Sequence, residues 1–413
     1  MDKKEFKIYI IGAGVSGLVA AQVLENNGYA PIILEASDRA GGRVKTDIKK
    51  GFQLDHGFQV LLSSYPAAQK YLDFKVLKLQ ELKPGAVIFK NGKQQIIGDP
   101  LRDISTLFST LFSGVGTFSD KFKIFQLNLK LKNKSVEAIF SSDEISTKAY
   151  LQEFGFSSQI IAQFFTPFFT GIFLENELTT SSRMFEFVFK MFGEGVAVLP
   201  KGGMEEISKQ LVANLRNTTF QYNTQVTSVS DEEIILHTGD KLASTATIIA
   251  TDASNLLKNA SQNNLSWKSC QTLYFTSKKR MINKPMIGLM CNAHGLVNNI
   301  FYHTSVATDT HNTEELLSVT VVKEHQLSEE QLIAAVIKQL KEECNIEHLS
   351  FLAIYHIKKA LPDLKNIKYE VSPLKTQLSS GIFLAGDVQL NGSLNAAMIS
   401  GEKAALQVVA SLK

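Results

Sequence analysis

The chain has 413 residues, more than one hydrophobic core usually organises, so two or three domains are expected. A composition of 44% hydrophobic and 20% charged residues excludes disordered and fibrous classes. With 43 basic against 40 acidic residues the net charge is +3, which excludes nucleic-acid binding driven by charge alone.

Cys270, Cys291 and Cys344 form no CxxC pair and leave an odd number, which points to a reducing compartment without disulfides. Cys291 and His294 lie close in sequence, but no second pair follows them, so no metal is expected. The segment Lys7-Ile8-Tyr9-Ile10-Ile11 enters a strand and then a glycine-rich turn, unlike an export signal. A cytoplasmic location is expected, with peripheral contact at the inner face of a membrane left open. The longest apolar candidate, Ile160 to Leu174, is too short to span a bilayer and contains Gln163, Thr166, Pro167 and Thr170.

Ile8 to Ile11 reads as a buried parallel strand. Gly12-Ala13-Gly14-Val15-Ser16-Gly17 follows as a GxGxxG, and Leu18 to Leu24 continues with helical spacing up to a stop at Gly28. Ala30 to Leu34 is a second strand that ends in Glu35. Gly12 permits the tight turn, Gly14 lets backbone approach a pyrophosphate, and Gly17 lets the helix sit close to the strand. The helix N-terminus offers unpaired N–H donors to phosphates, and Glu35 is placed to accept ribose hydroxyls.

Beyond Glu35 the run Ala36-Ser37-Asp38-Arg39-Ala40-Gly41-Gly42-Arg43 supplies accessible backbone N–H groups and arginine forks suited to a second phosphate-facing loop. From Gly12 to Val44 the sequence resembles the FAD-binding signature of the flavin amine oxidase superfamily. That group includes monoamine and polyamine oxidases, protoporphyrinogen oxidase and carotenoid desaturases. The resemblance implies an α/β fold, with a discontinuous Rossmann-like FAD-binding domain and an inserted α+β substrate domain made of a helical part and a mixed sheet. The boundaries expected are 1-75, 195-255 and 375-413 for the FAD domain, and 76-194 and 256-374 for the substrate domain.

Later segments resemble the same family. Leu199-Pro200-Lys201-Gly202-Gly203-Met204 introduces a helix from Glu205 to Leu215 and is similar to its PxGGM segment. Ala246 to Asp252 reads as a strand, and Gly381 to Asp387 as another that ends in Gly-Asp. A helix capped by Ser393 follows, rich in small residues. Asp55-His56-Gly57-Phe58 resembles the DxG segment, with His56 atypical and a weak catalytic candidate. The resemblance places non-covalent FAD against Gly12, Gly14, Val15, Ser16, Gly17, Glu35, Ala36, Arg39, Gly41, Gly42, Arg43, Gly57, Phe58, Val226, Ala250, Gly386, Asp387, Ser393, Leu394 and Ala397. No cysteine lies near Gly386 to Leu394, so the thioether linkage of some monoamine oxidases is not expected.

No second GxGxxG follows a strand, so nothing indicates a nicotinamide domain; Gly114-Val115-Gly116 is expected within a helical stretch. Electrons are expected to leave to dioxygen or a quinone.

Between Phe108 and Phe192 lie 17 of the 27 phenylalanines, among them the helically spaced Leu107-Phe108-Leu111-Phe112-Val115. Three uses compete: core, a greasy substrate channel, and an amphipathic surface docked on a membrane. Residues 256 to 370 read as strands at Ser269 to Phe275 and Leu317 to Val322, and a helix capped at Ser328. Lys323 ends one strand, where a lysine could approach the flavin. The expectation is an oxidoreductase that passes hydride from an apolar substrate, with isoprenoid-like molecules among the candidates, to flavin N5. The alternatives are an amine oxidase using dioxygen on a C–N bond, and a flavin-holding module without turnover.

Overall fold

A computed structural model describes residues 3–90, 92–98, 114–257, 265–310 and 312–413. The expected helical spacing from Leu107 to Phe112 lies outside these residues.

The first strand, Ile8–Ile11, is buried along its whole length. It is central in a five-stranded parallel sheet, between Ile32–Leu34 on one side and Ala246–Ile249 on the other. Thr219–Gln221 and Ile382–Leu384 complete the two edges. Short, apolar, β-branched strands of this kind suit a sheet covered on both faces. Ile10 stands beside Ile33 and Ile248, and Ile248 beside Phe383, so one row of apolar side chains crosses from the beginning of the chain to its end.

Helix Val15–Asn26 follows the first strand, and helix Leu394–Ser411 follows the last. The two pack together through small residues. A Cβ on Gly17 would meet the Gly12 carbonyl oxygen at 2.1 Å, and a Cβ on Gly401 would meet the Ser16 carbonyl oxygen at 2.2 Å. Ser16 Oγ and Ser400 Oγ lie 3.4 Å apart at the same crossing.

The second layer is a mixed seven-stranded sheet. Its strands are, in spatial order, Ser350–Pro362, Trp267–Ser277, Glu315–Val321, Val297–Tyr302, Ile287–Met290, Gly85–Lys90 and Lys93–Gly98. Helix Glu329–Cys344 covers it, opened by a capping box between Ser328 and Gln331, as the sequence indicated. Leu332, Val336 and Leu340 of this helix pack on Leu273, Phe275 and Val319 of the sheet.

The helical region contains Phe118–Lys132, Thr166–Phe173 and Ser182–Glu194, with a π-helical turn at Ile161–Phe165. Gly114-Val115-Gly116 sits in bends rather than a helix; the helix begins at Phe118, where Thr117 and Asp120 form a capping box. Phe165, Phe169, Phe173, Phe185 and Phe187 are almost wholly buried, with ring contacts such as Phe169–Phe185 at 4.8 Å. Within Ser182–Glu194, the buried Glu186 accepts hydrogen bonds from Lys134 Nζ at 2.5 Å and the Tyr150 hydroxyl at 2.7 Å.

The crossing of the first and last helices leaves no room for a side chain at Gly401. Gly401→Ala is expected to cost about 1–3 kcal/mol through overpacking, read as a lowered chemical-denaturation midpoint with unchanged slope.

Candidate active site

A cleft of about 860 Å³ lies between the parallel sheet, the mixed sheet and the helical region. That is within the range of cofactor and substrate pockets, roughly 300–1,000 Å³. Helix Val15–Asn26 opens on it without a side-chain cap, and Gly14, Val15 and Ser16 line it. The first-turn N–H donors of a helix have no intrahelical acceptors, so this end is suited to an anion. A Cβ on Gly14 would meet nothing within 4 Å, which leaves its backbone open to close approach. Gly41 bridges to Gly14, and Gly42 faces the Gly14 Cα.

Glu35 closes the second strand. Its carboxylate accepts the Ala13 N–H at 2.7 Å and the Ser37 N–H at 2.9 Å, which fixes it at the cleft edge. The guanidinium of Arg43 is paired with Asp387, joining the first glycine-rich segment to the last. Arg43 also donates to the Ala360 carbonyl at 3.2 Å and lies 5.4 Å from the Trp267 ring. Ser393 both caps the last helix, accepting the Ala396 N–H at 3.0 Å, and lines the cleft with Leu394 and Ala397. Gly57, Phe58, Ala250 and Gly386 line it as well. The uncapped helix, the open Gly14 backbone and the carboxylates at either end fit an elongated dinucleotide such as FAD.

Some residues singled out in the sequence do not line this cleft. Gly17 is at the helix–strand contact. Ala36 stands outside the lining, next to Glu35. Arg39 is turned away: Asp47 accepts from it at 2.6 Å and Glu205 at 3.2 Å. The Val226 side chain is buried with Tyr9, Ile11 and Leu34, while the preceding Thr224 N–H donates to the Glu35 carbonyl at 2.8 Å. Lys323 donates to the carbonyls of Ala293 and His294 and does not line the cleft either. Cys291 donates through Sγ to the Gln163 carbonyl at 3.1 Å.

His56 does line the cleft, and its surroundings were not legible beforehand. Its Nε2 is 2.8 Å from Asp47 Oδ2, and its ring lies against Tyr355 with centroids 4.5 Å apart. The Tyr355 hydroxyl donates to the same Asp47 oxygen at 3.0 Å. The pairing follows from a hairpin, Thr46–Lys49 with Phe52–Asp55, turned by Lys50 and Gly51 at φ 48° and 76°. That two-residue turn of left-handed backbone was the available signal for Asp47. Trp267, Ile357 and Lys359 also line the cleft and come from sheet strands that carry no motif.

The other arm of the cleft is apolar. Phe168, Ile172 and Leu174 come from one side, Met184, Val188 and Phe192 from the helix Ser182–Glu194, Leu62 and Ile287 from strands, and Tyr65 from the start of the helix Pro66–Tyr71. Cys270 lies on the lining too, and burial pushes its thiol up to about 11.

Beneath the cleft Asp55 is fully buried. Burial raises its carboxyl to about 6, although Thr46 Oγ1 at 2.5 Å and the Met204 N–H at 2.9 Å both donate to it. An acid whose folded pKa exceeds its unfolded value contributes stability in acid and loses it as pH rises from about 4 through 6. His303, lowered to about 4 by burial, works in the opposite direction, losing stability as pH falls below its ordinary value. Asp55→Asn keeps an acceptor but removes the first contribution. Relative to wild type, the variant is expected to lose on the order of 2–3 kcal/mol between neutral pH and pH 4. Denaturant titrations across that interval check this; a difference that does not vary with pH would contradict it.

The profile of the family described as flavin containing amine oxidoreductase matches residues 15–409. An L-amino acid oxidase of Bothrops pictus is 43% identical over 77 residues, 18% of this chain and 16% of that protein. Protoporphyrinogen oxidase 2 of Arabidopsis thaliana is 26% identical over 167 residues, 40% of this chain and 32% of its own length. The chain therefore matches about a third or less of these curated relatives. A solved oxidoreductase from Methanosarcina mazei superposes with a TM-score of 0.72 at 16% identity, over 98% of this chain and 100% of that one, a likeness of fold. With the family profile running over nearly its whole length, the chain belongs to the flavin-containing amine oxidoreductases.

Proposed function

We propose that this oxidoreductase removes two hydrogens from an apolar substrate seated in the arm of the cleft between Thr166–Phe173 and Ser182–Glu194. One observation carries the reading: Phe168, Ile172, Leu174, Met184, Val188 and Phe192 all line the cleft, and the Phe168 and Phe192 rings, 5.5 Å apart, join the two helices that supply them. A charged substrate group placed there would lose its hydration without a partner, whereas an apolar one gains from leaving water.

The other arm would hold the dinucleotide. Glu35 would accept the ribose hydroxyls, and the first turn of Val15–Asn26 with Gly41, Gly42 and Arg43 would hold the pyrophosphate. Asp387 would accept a ribityl hydroxyl, which requires Arg43 to share or release its present pairing. FAD, when bound, supplies the two-electron acceptor. The chain's own part is to orient the substrate against it and keep water out of the apolar arm. His56, fixed by Asp47 and Tyr355, stands on the lining where it could move a proton.

The purified holoprotein should be titrated anaerobically with carotenoid precursors, porphyrinogens and amines while flavin absorbance is followed. Bleaching by an apolar polyene or porphyrinogen is expected. Bleaching by primary amines alone would replace this reading with an amine oxidase. Reoxidation by air or by an added quinone then separates the two acceptors. Removing the Glu35 carboxylate tests the cofactor arm: Glu35→Ala should weaken FAD retention by about 1.5–3 kcal/mol for each charged hydrogen bond lost, more than tenfold in Kd. Flavin content after gel filtration measures it, with circular dichroism verifying the fold. Unchanged content would move the ribose elsewhere.

A further inference from the structure

Helix Phe118–Lys132 is apolar on two faces. One face packs inward through Leu127 and Leu131, both wholly buried. The other carries Phe118, Phe122, Phe125 and Leu129, which are 69%, 59%, 39% and 47% exposed. Their spacing of four, three and four residues puts them in one stripe along the helix, about 16 Å long at 1.5 Å per residue. An ordinary surface helix shows one apolar face, turned to the core. Here a second face, with three aromatic rings, lies open to solvent.

The charges on this helix are one-sided. Lys121, Lys123, Lys130 and Lys132 are its basic residues, and Asp120 is its one carboxylate. Asp120 is 1% exposed and occupied internally: it accepts from Thr117 and Ser157 at the start of the helix. On the helical wheel Lys121 and Lys132 border one edge of the stripe, while Lys123 and Lys130 lie further round the opposite side. Lys121 Nζ sits 5.2 Å from the Phe118 ring. Aromatic and leucine side chains along one face, with lysines beside them, are the composition of a helix that lies in a lipid–water interface.

Position in the fold agrees. The inward face packs on helix Ser182–Glu194, where Lys190 Nζ donates to the Leu131 carbonyl at 2.9 Å. Glu186 and Lys190 therefore mark the side of that second helix turned toward the stripe helix. Met184, Val188 and Phe192 occupy its opposite side, on the cleft. Two packed helices, Phe118–Lys132 itself and Ser182–Glu194, thus lie between the exposed stripe and the apolar arm.

We propose that Phe118–Lys132 docks on an anionic bilayer surface, burying Phe118, Phe122, Phe125 and Leu129 among acyl chains while Lys121 and Lys132, at the edge of the stripe, meet lipid headgroups. This does not rest on the substrate reading; a protein acting on a soluble substrate could dock in the same way.

The test is co-sedimentation of the FAD-loaded full chain with phosphatidylcholine–phosphatidylglycerol vesicles and with pure phosphatidylcholine vesicles. Wild type is expected to bind the anionic vesicles, less at high salt, and the neutral ones at least tenfold less tightly. Phe118→Ser with Phe122→Ser should reduce anionic binding at least tenfold, as should Lys121→Glu with Lys132→Glu. Both pairs should keep the wild-type melting temperature and flavin content, because the four side chains are outside the core and the cleft. Failure to bind anionic vesicles would overturn the proposal, as would binding that either double variant leaves intact. Lipid-free dimerisation that the phenylalanine variant abolishes would instead assign the stripe to a second copy of the chain and also overturn it. Loss of flavin reduction without loss of vesicle binding would count against the substrate reading alone.

Discussion

The arrangement depends on how closely the first and last helices of the chain approach. Gly17 lets Val15–Asn26 lie against the strand that precedes it, and Gly401 lets Leu394–Ser411 lie against the Ser16 backbone. A single Cβ at either place would have to occupy space held by a carbonyl oxygen, which cannot move without shifting a turn or a helix. Because both positions are glycine, two helices some 380 residues apart start beside the same cleft. Their N-termini then turn partial positive charge toward one volume. The parallel sheet supports this, since the strands that feed both helices share it with only Ala246–Ile249 between them.

Electrostatics divides the cleft along its length. At the end that carries Glu35 the charged groups are held: Glu35 by backbone donors, and Arg43 by Asp387. Such pairs keep buried charge compensated while still offering hydrogen bonds to a ligand that can take one partner's place. At the opposite end the wall is aliphatic and aromatic, and selectivity there must come from shape and from exclusion of water rather than from ion pairing. His56 also lines the cleft, its imidazole fixed by a carboxylate and a phenol that are themselves in contact. A ring held on two sides cannot swing to search for a proton partner, so whatever it does depends on what is brought to it.

Local signals in the sequence were strong wherever one short segment dictates its own geometry. The strand–glycine–helix–strand–acid run, the Gly-Asp ending of the last strand and the Ser328 and Ser393 caps are of this kind. Each is a backbone requirement that few residue types meet. What the sequence did not disclose depends on pairings between distant residues. Arg39 belongs chemically with the phosphate-facing loop, yet Asp47 and Glu205 satisfy it first. Nothing within the run from Glu35 to Arg43 distinguishes Arg39 from Arg43; the choice is made by a hairpin and by Glu205, which follows the PxGGM segment. Trp267 and Ile357 reach the cleft from adjacent strands of the mixed sheet, and their register is decided by the whole sheet rather than by any motif.

The phenylalanine-rich region shows why composition alone could not choose among core, wall and surface. In a helix successive residues turn by about 100°, so a dense aromatic run is distributed to every side at once. Phe185 and Phe187 enter the core, Phe192 of the same helix meets the cleft, and Phe118 and Phe122 of the neighbouring helix face outward. The three uses are therefore not rivals. Two packed helices set the spacing between the outer apolar face and the inner apolar wall at roughly two helix diameters, about 20 Å. That distance exceeds the depth of one half of a bilayer core, about 15 Å. Docking through the outer face would therefore leave the inner wall outside the acyl layer, and a molecule leaving lipid would have to pass between or around the two helices to reach the cleft.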